Sequence, residues 1–185
     1  VTEYLREKFG SDYNTSEIIE IAYDLQAGSY INAVNSDRDK AERYAKELSQ
    51  ILSQHLASGE SLLDVGTGEI TTLSLVLNEM NFELSDILAL DISWSRLSHG
   101  INFHRKIRKT QFSLKPFTAD IKEIPLHGKS IDVITSSHAL EPNGESLETI
   151  LNELFRVAKK KLVLFEPSYE LNSERGRARM DKLGY

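Results

Sequence analysis

Cysteine is absent from the 185-residue chain. Its absence excludes a disulfide framework and any thiolate metal site, and makes a reducing, cytoplasmic setting the expectation. Long apolar runs are missing too. None approaches the roughly 20 residues needed to span a bilayer, and the opening residues VTEYLREKFG are charged where a secretory leader is apolar, so no membrane partner is expected. Positive charge is in short supply, 22 Lys and Arg against 28 Asp and Glu for a net −6, which opposes a partner as strongly anionic as duplex nucleic acid. The five histidines are scattered, and no metal site is expected. What is there, 40% hydrophobic residues in a chain of this length, suits one globular domain with its own core.

The chain reads as helices first and then as an alternation. Asn14-Thr15-Ser16-Glu17 is a capping box, and Ile18, Ile19, Ala22 and Tyr23 continue an apolar face. A short helix ending near Ala27-Gly28 is predicted. A second start at Asn35-Ser36-Asp37 precedes Ala41, Tyr44, Ala45, Leu48, Ile51, Leu52 and Leu56, the stripe of an amphipathic helix that stops at Ser58-Gly59. From Ser61 the period changes. Short apolar runs at 61–65, 86–90, 131–135 and 161–165 have the length of strands buried on both faces, with a weaker strand at 111–119 that Pro116 confines to an edge or a bulge. Helical segments at 71–80, 93–107 and 146–158 separate them. This order predicts an α/β fold, a doubly wound and mainly parallel sheet. Residues 1–57 are expected to form a helical lid or cap, and 58–185 a Rossmann-like domain.

In such sheets ligands lie beyond the carboxyl ends of the strands, so the residues just after each run carry the functional reading. They are Asp64-Val65-Gly66-Thr67-Gly68, then Asp91, then Asp120, then 136–141, then Glu166-Pro167. Glycines turn tightly and let amides approach a ligand. Carboxylates at the next two strand ends accept from hydroxyls or an amino group, and a nucleoside offers both. Gly66 to Asp91 is close to the roughly 20-residue spacing between a glycine-rich turn and a ribose-binding acid.

LLDVGTGEI, LALDIS, FTADIKEIPLHGKSIDVITSSHALE and LFRVAKKKLVLFEPS together resemble the class I S-adenosylmethionine-dependent methyltransferases. The resemblance covers roughly 52–168, and within the superfamily it is closest to enzymes that methylate small molecules. It implies S-adenosylmethionine as cofactor, with Asp64, Gly66, Thr67 and Gly68 along its methionine part. Asp91 would hold the ribose hydroxyls with Ile92 beside the adenine, Asp120 and the Ile121 amide would meet the adenine, and Ser136 with Ser137 would sit under the sulfonium. Two departures stand out. Ile70 replaces the third glycine frequent in the family, and the last two strands of the fold are not expected, so the chain is a piece of a longer protein or else exposes KLVLF as an edge through which a homodimer would form.

His138 is the candidate base for an acceptor that must lose a proton, with Glu141 next. In 22–31, a lid hinge at Gly28 would let Tyr23 or, as the better candidate, Tyr30 close over the cofactor. The basic run Arg105, Lys106, Arg108, Lys109 and Lys115 keeps an RNA or other nucleic-acid methyltransferase as an alternative, and a non-catalytic cofactor-binding module is another. A dinucleotide-dependent oxidoreductase is disfavoured because the turn lacks the G-x-G-x-x-G close.

Overall fold

The structure is a computed structural model that describes residues 1–109 and 113–183. Four helices come first, α1 (Thr2–Phe9), α2 (Ser16–Asp24), α3 (Ser29–Ser36) and α4 (Arg38–Leu52). The helix start predicted at 14–17 is present as a single Thr15 cap, whose side chain accepts from the Ile18 amide, and Asp37 caps α4 by accepting from the Lys40 amide. The alternation follows as β1 (Ser61–Val65), α5 (Thr71–Glu79), β2 (Asp86–Asp91), α6 (Trp94–Ile107), β3 (Leu114–Thr118), β4 (Ile131–Ser137), α7 (Leu147–Val157), β5 (Ala158–Phe165) and α8 (Glu174–Leu183). The first residues of the strand expected at 111–119 lie outside the described residues.

The five strands form one parallel sheet in the order β3-β2-β1-β4-β5. Strand order therefore reverses at β1, with β2 on one side and β4 on the other, and the crevice beyond their carboxyl ends is where an open α/β sheet binds ligands. Pro116 falls on β3, an edge strand, where its missing donor is tolerated. The other edge, β5, begins with the exposed lysines Lys159, Lys160 and Lys161, a charge pattern that opposes pairing with another chain.

Alternate residues of the strands feed two cores. Leu62, Ile87, Ala89 and Val133 join α4, α5 and α6 on one face; Leu63, Val65, Leu90 and Ile134 join α7 on the other. Leu62 and Leu63 are fully buried, and burial of one such side chain is worth roughly 1.5–3 kcal/mol. Ala45, Leu48 and Leu52 of α4 belong to the first of these cores. The segment expected to be a cap thus has two parts, since α4 is a layer of the main core, while α1 and α2 form a small cluster of Leu5, Ile18 and Ala22 and α3 buries nothing fully. Among the described residues no helix is long and apolar enough to cross a membrane.

Candidate functional site

The turn after β1 is built on three successive left-handed positions, Gly66 (φ 64°), Gly68 (φ 57°) and Ile70 (φ 54°). A Cβ on Gly66 would collide with Ala139, so the turn packs directly against the loop after β4. Ile70 occupies the same backbone region that a third glycine would, a conformation that is costly for a β-branched residue. Its side chain is fully buried and packs on Gly100 of α6, whose missing side chain makes the room. That burial compensates the strain.

Asp64, Asp91 and Asp120, from three strand ends, line one cleft together with Gly66, Thr67, Ile92, Ile121, Tyr30 and His138. Asp64 is buried, and desolvation pushes its carboxyl up to about 7, against a smaller opposing influence of the Thr67 hydroxyl. Among the described residues the buried Thr67 hydroxyl, close enough to act on Asp64, meets no partner at hydrogen-bonding geometry. Asp91 Oδ2 accepts from the Gly68 amide at 2.7 Å and Oδ1 from the Ser93 amide at 2.9 Å. Burial raises the Asp91 carboxyl, with Arg96 and the two amides pulling it down. Asp120 accepts from Ser16 Oγ at 2.5 Å and from the Lys122 amide at 2.9 Å.

One expected position is corrected. Ser136 is fully buried and donates its hydroxyl to Glu166 at 2.5 Å, away from the cleft. The side chains alternate across a strand, so its neighbour Ser137 faces the cleft instead, within 3.2 Å of Tyr44 Oη. Glu166 also accepts from the Ala139 and Leu140 amides and so fixes the loop after β4. His138, at φ 55°, leads that loop. Its Nδ1 lies 2.6 Å from Glu141 Oε1; an ionised carboxylate can only accept, so Nδ1 donates and Nε2 is left as the free acceptor. The Glu141 hydrogen bond raises the imidazole above its usual range, partly opposed by burial.

Several contributors were invisible in the sequence reading. Glu69 is almost wholly buried and accepts from the amides of Gly28, Tyr30 and Ile31, at the start of α3. Ser93 donates to Asp24 at the end of α2. The Arg96 guanidinium sits 4.9 Å from the Tyr23 ring centre and 4.7 Å from that of Tyr30. Only a carboxylate directly after the glycine turn hinted at Glu69. Its partners are backbone amides some forty positions away, which no local pattern reveals.

A family model described as a methyltransferase domain matches residues 63–165. The chain belongs to the class I S-adenosylmethionine-dependent methyltransferase superfamily. No curated protein is similar in sequence at a significant level. Solved structures similar in fold include the [4+2]-cyclase SpnF, at TM-score 0.67 and 19% identity over 83% of this chain and 61% of that one. A second is the magnesium protoporphyrin IX methyltransferase of Synechocystis PCC 6803 with bound S-adenosylhomocysteine, at 0.59 and 12% over 78% and 69%. A third is an S-adenosylmethionine-dependent methyltransferase from Aquifex aeolicus, at 0.54 and 18% over 77% and 87%. Several similar proteins are longer, the chain spanning 50% of one and 58% of another.

Proposed function

We propose that this methyltransferase domain transfers a methyl group from S-adenosylmethionine to a small-molecule acceptor. The observation that carries the reading is the convergence of the glycine turn and three strand-end acids on one cleft that residues 16–44 roof over. The residues suit the cofactor. Among the described residues Asp64 is a buried acid in no ion pair, the Thr67 hydroxyl meets no partner at hydrogen-bonding geometry, and Asp91 keeps lone pairs for ribose hydroxyls beyond those its two amides use. Asp64, Gly66, Thr67 and Gly68 would hold the methionine end, Asp91 and Ile92 the ribose and adenine, Asp120 and Ile121 the adenine edge, and Tyr30 the mouth. When bound, the cofactor supplies an electrophilic methyl on a sulfonium.

The chain's own part is to align the acceptor, exclude water and take a proton. His138 Nε2 is the atom for that proton, with Glu141 holding the ring and favouring the imidazolium that results. A roofed cleft favours a small acceptor over a polymer. The basic run Arg105 to Lys109 lies at the far end of α6 from the cleft, and a helix of this length puts it about 20 Å away, so the nucleic-acid reading has no support from placement. SpnF shares the fold and is described as a cyclase, so the fold leaves the reaction to the site.

Titration with S-adenosylhomocysteine and with NAD tests the reading. Tight binding of the first and none of the second is expected. Asp91→Ala should weaken the nucleoside by about 1–3 kcal/mol through lost charged hydrogen bonds, and unchanged affinity would remove Asp91 from the site. Product formation with candidate acceptors separates an enzyme from a binding module.

A further inference from the structure

Arg96, in the first turn of α6, is 7% exposed, yet among the described residues its side chain has neither a hydrogen bond nor an ion pair. Its Nε is buried without a partner. Asp91 attracts it through space, but both Asp91 oxygens are engaged by backbone amides. Tyr23 and Tyr30 hold the guanidinium by their ring faces, and it lies against Gly68, where a Cβ would run into it. Aromatic faces fix the plane of a guanidinium without satisfying its five donors. A buried charge in this condition is unfavourable unless a partner arrives.

We propose that Arg96 is a ligand-binding residue, a preformed site for a carboxylate on a molecule that enters the cleft. A planar fork held in one orientation matches a planar carboxylate through two parallel hydrogen bonds. The glycine turn carries the complementary charge, since Asp64 lines the same cleft and would take an ammonium. Acid and base lining one cleft suit an amino-acid end, which makes the cofactor the first source of the carboxylate and the acceptor the second. The assignment of the source rests on the cofactor reading above; the assignment of Arg96 to a carboxylate does not.

The test titrates the full chain and its Arg96→Met and Arg96→Lys variants with S-adenosylhomocysteine, with its decarboxylated analogue, and with benzoate as a carboxylate probe. If the cofactor supplies the group, the wild type prefers S-adenosylhomocysteine over the analogue by about tenfold or more, the worth of a charge-assisted pair. Arg96→Met loses that preference and Arg96→Lys keeps part of it. If the acceptor supplies it, the two nucleosides bind alike, and benzoate binds the S-adenosylhomocysteine complex of the wild type about tenfold more tightly than that of Arg96→Met. A methionine that fills the same space removes an unpaired buried charge, so the unliganded variant should unfold at a temperature no lower than the wild type. A purely structural arginine predicts the opposite, a lowered unfolding temperature with ligand preferences intact. The proposal is overturned if Arg96→Met matches the wild type toward both nucleosides and benzoate. A wild type that binds neither nucleoside while benzoate still discriminates the variants refutes the cofactor reading and leaves the carboxylate site standing.

Discussion

The sheet and the N-terminal cap are held by different forces. β1 is buried along its whole length, with Leu62 in one apolar core and Leu63 and Val65 in the other, and Ser61 at its start is tied to Asp132 of β4. The helix α3 buries none of its residues, and α2 buries only Ile18, Ile19 and Ala22. Beside their small apolar cluster, what fastens α2 and α3 to the sheet is polar and comes from the rim of the cleft itself: Asp120 to Ser16, Ser93 to Asp24, Glu69 to three amides. A scaffold built on apolar burial stays rigid, whereas a roof hydrogen-bonded to the ligand's own surroundings can exchange partners when a ligand arrives. The low-stability end of a fold is where such movable elements are found.

Three changes set the two regions against each other. The largest effect belongs to the scaffold. Gly66→Ala adds left-handed strain of roughly 1–2 kcal/mol to an overpacked contact with Ala139 worth roughly 1–3 kcal/mol, and denaturant unfolding should show the sum. A loss below about 1 kcal/mol would mean the turn yields, and the contrast with the cap would weaken.

Glu69→Gln acts on the cap. Replacing a carboxylate that accepts three amides costs about 2–3 kcal/mol of closure, which hydrogen exchange reads as faster exchange at Gly28, Tyr30 and Ile31 while β1 and β4 keep their protection. Equal acceleration everywhere would make cap and sheet one cooperative unit.

The smallest effect is set by pH. On the proposed binding mode Asp64 loses its proton to meet the cofactor's ammonium, so below its value of about 7 affinity should rise about tenfold per pH unit and then level off. Asp64→Asn should flatten that rise. In the unliganded protein the sign is reversed. A folded-state value raised above the ordinary 3.8 gives stability that is fully present below 3.8 and is lost as pH climbs through about 7. On the acceptor side, turnover that needs neutral His138 should increase with pH through a midpoint above 6.5, and Glu141→Gln should move that midpoint down. A midpoint unmoved by that substitution would detach the pair from the chemistry.

Much of this molecule was legible before any coordinates. Apolar runs marked β1, β2 and β4 most clearly, because strands buried on both faces leave no alternation to misread, while the edge strands β3 and β5 are only partly buried and were marked less well; the acids at the strand ends line the cleft. Helices α1 and α3 escaped, since neither carries a continuous buried stripe: α1 buries only Leu5 and α3 nothing. From the sequence, Ser136 and Ser137 are expected together at the cleft, because it shows that a strand ends there without showing which face each side chain takes. One residue of register decides between Ser136 on Glu166 and Ser137 on the cleft.

The sequence by itself determined the alternation of strand and helix, the glycine turn, and the acids Asp64, Asp91 and Asp120 at strand ends, because period and spacing are local properties of the chain. Only the tertiary structure decided what those groups meet. Ile70 acquires its meaning from Gly100, Glu69 from α3, His138 from Glu141, and Arg96 from the two tyrosines that hold it beside Gly68. Burial and partnership depend on elements far apart in sequence, and they set the charge and orientation each side chain can offer a ligand.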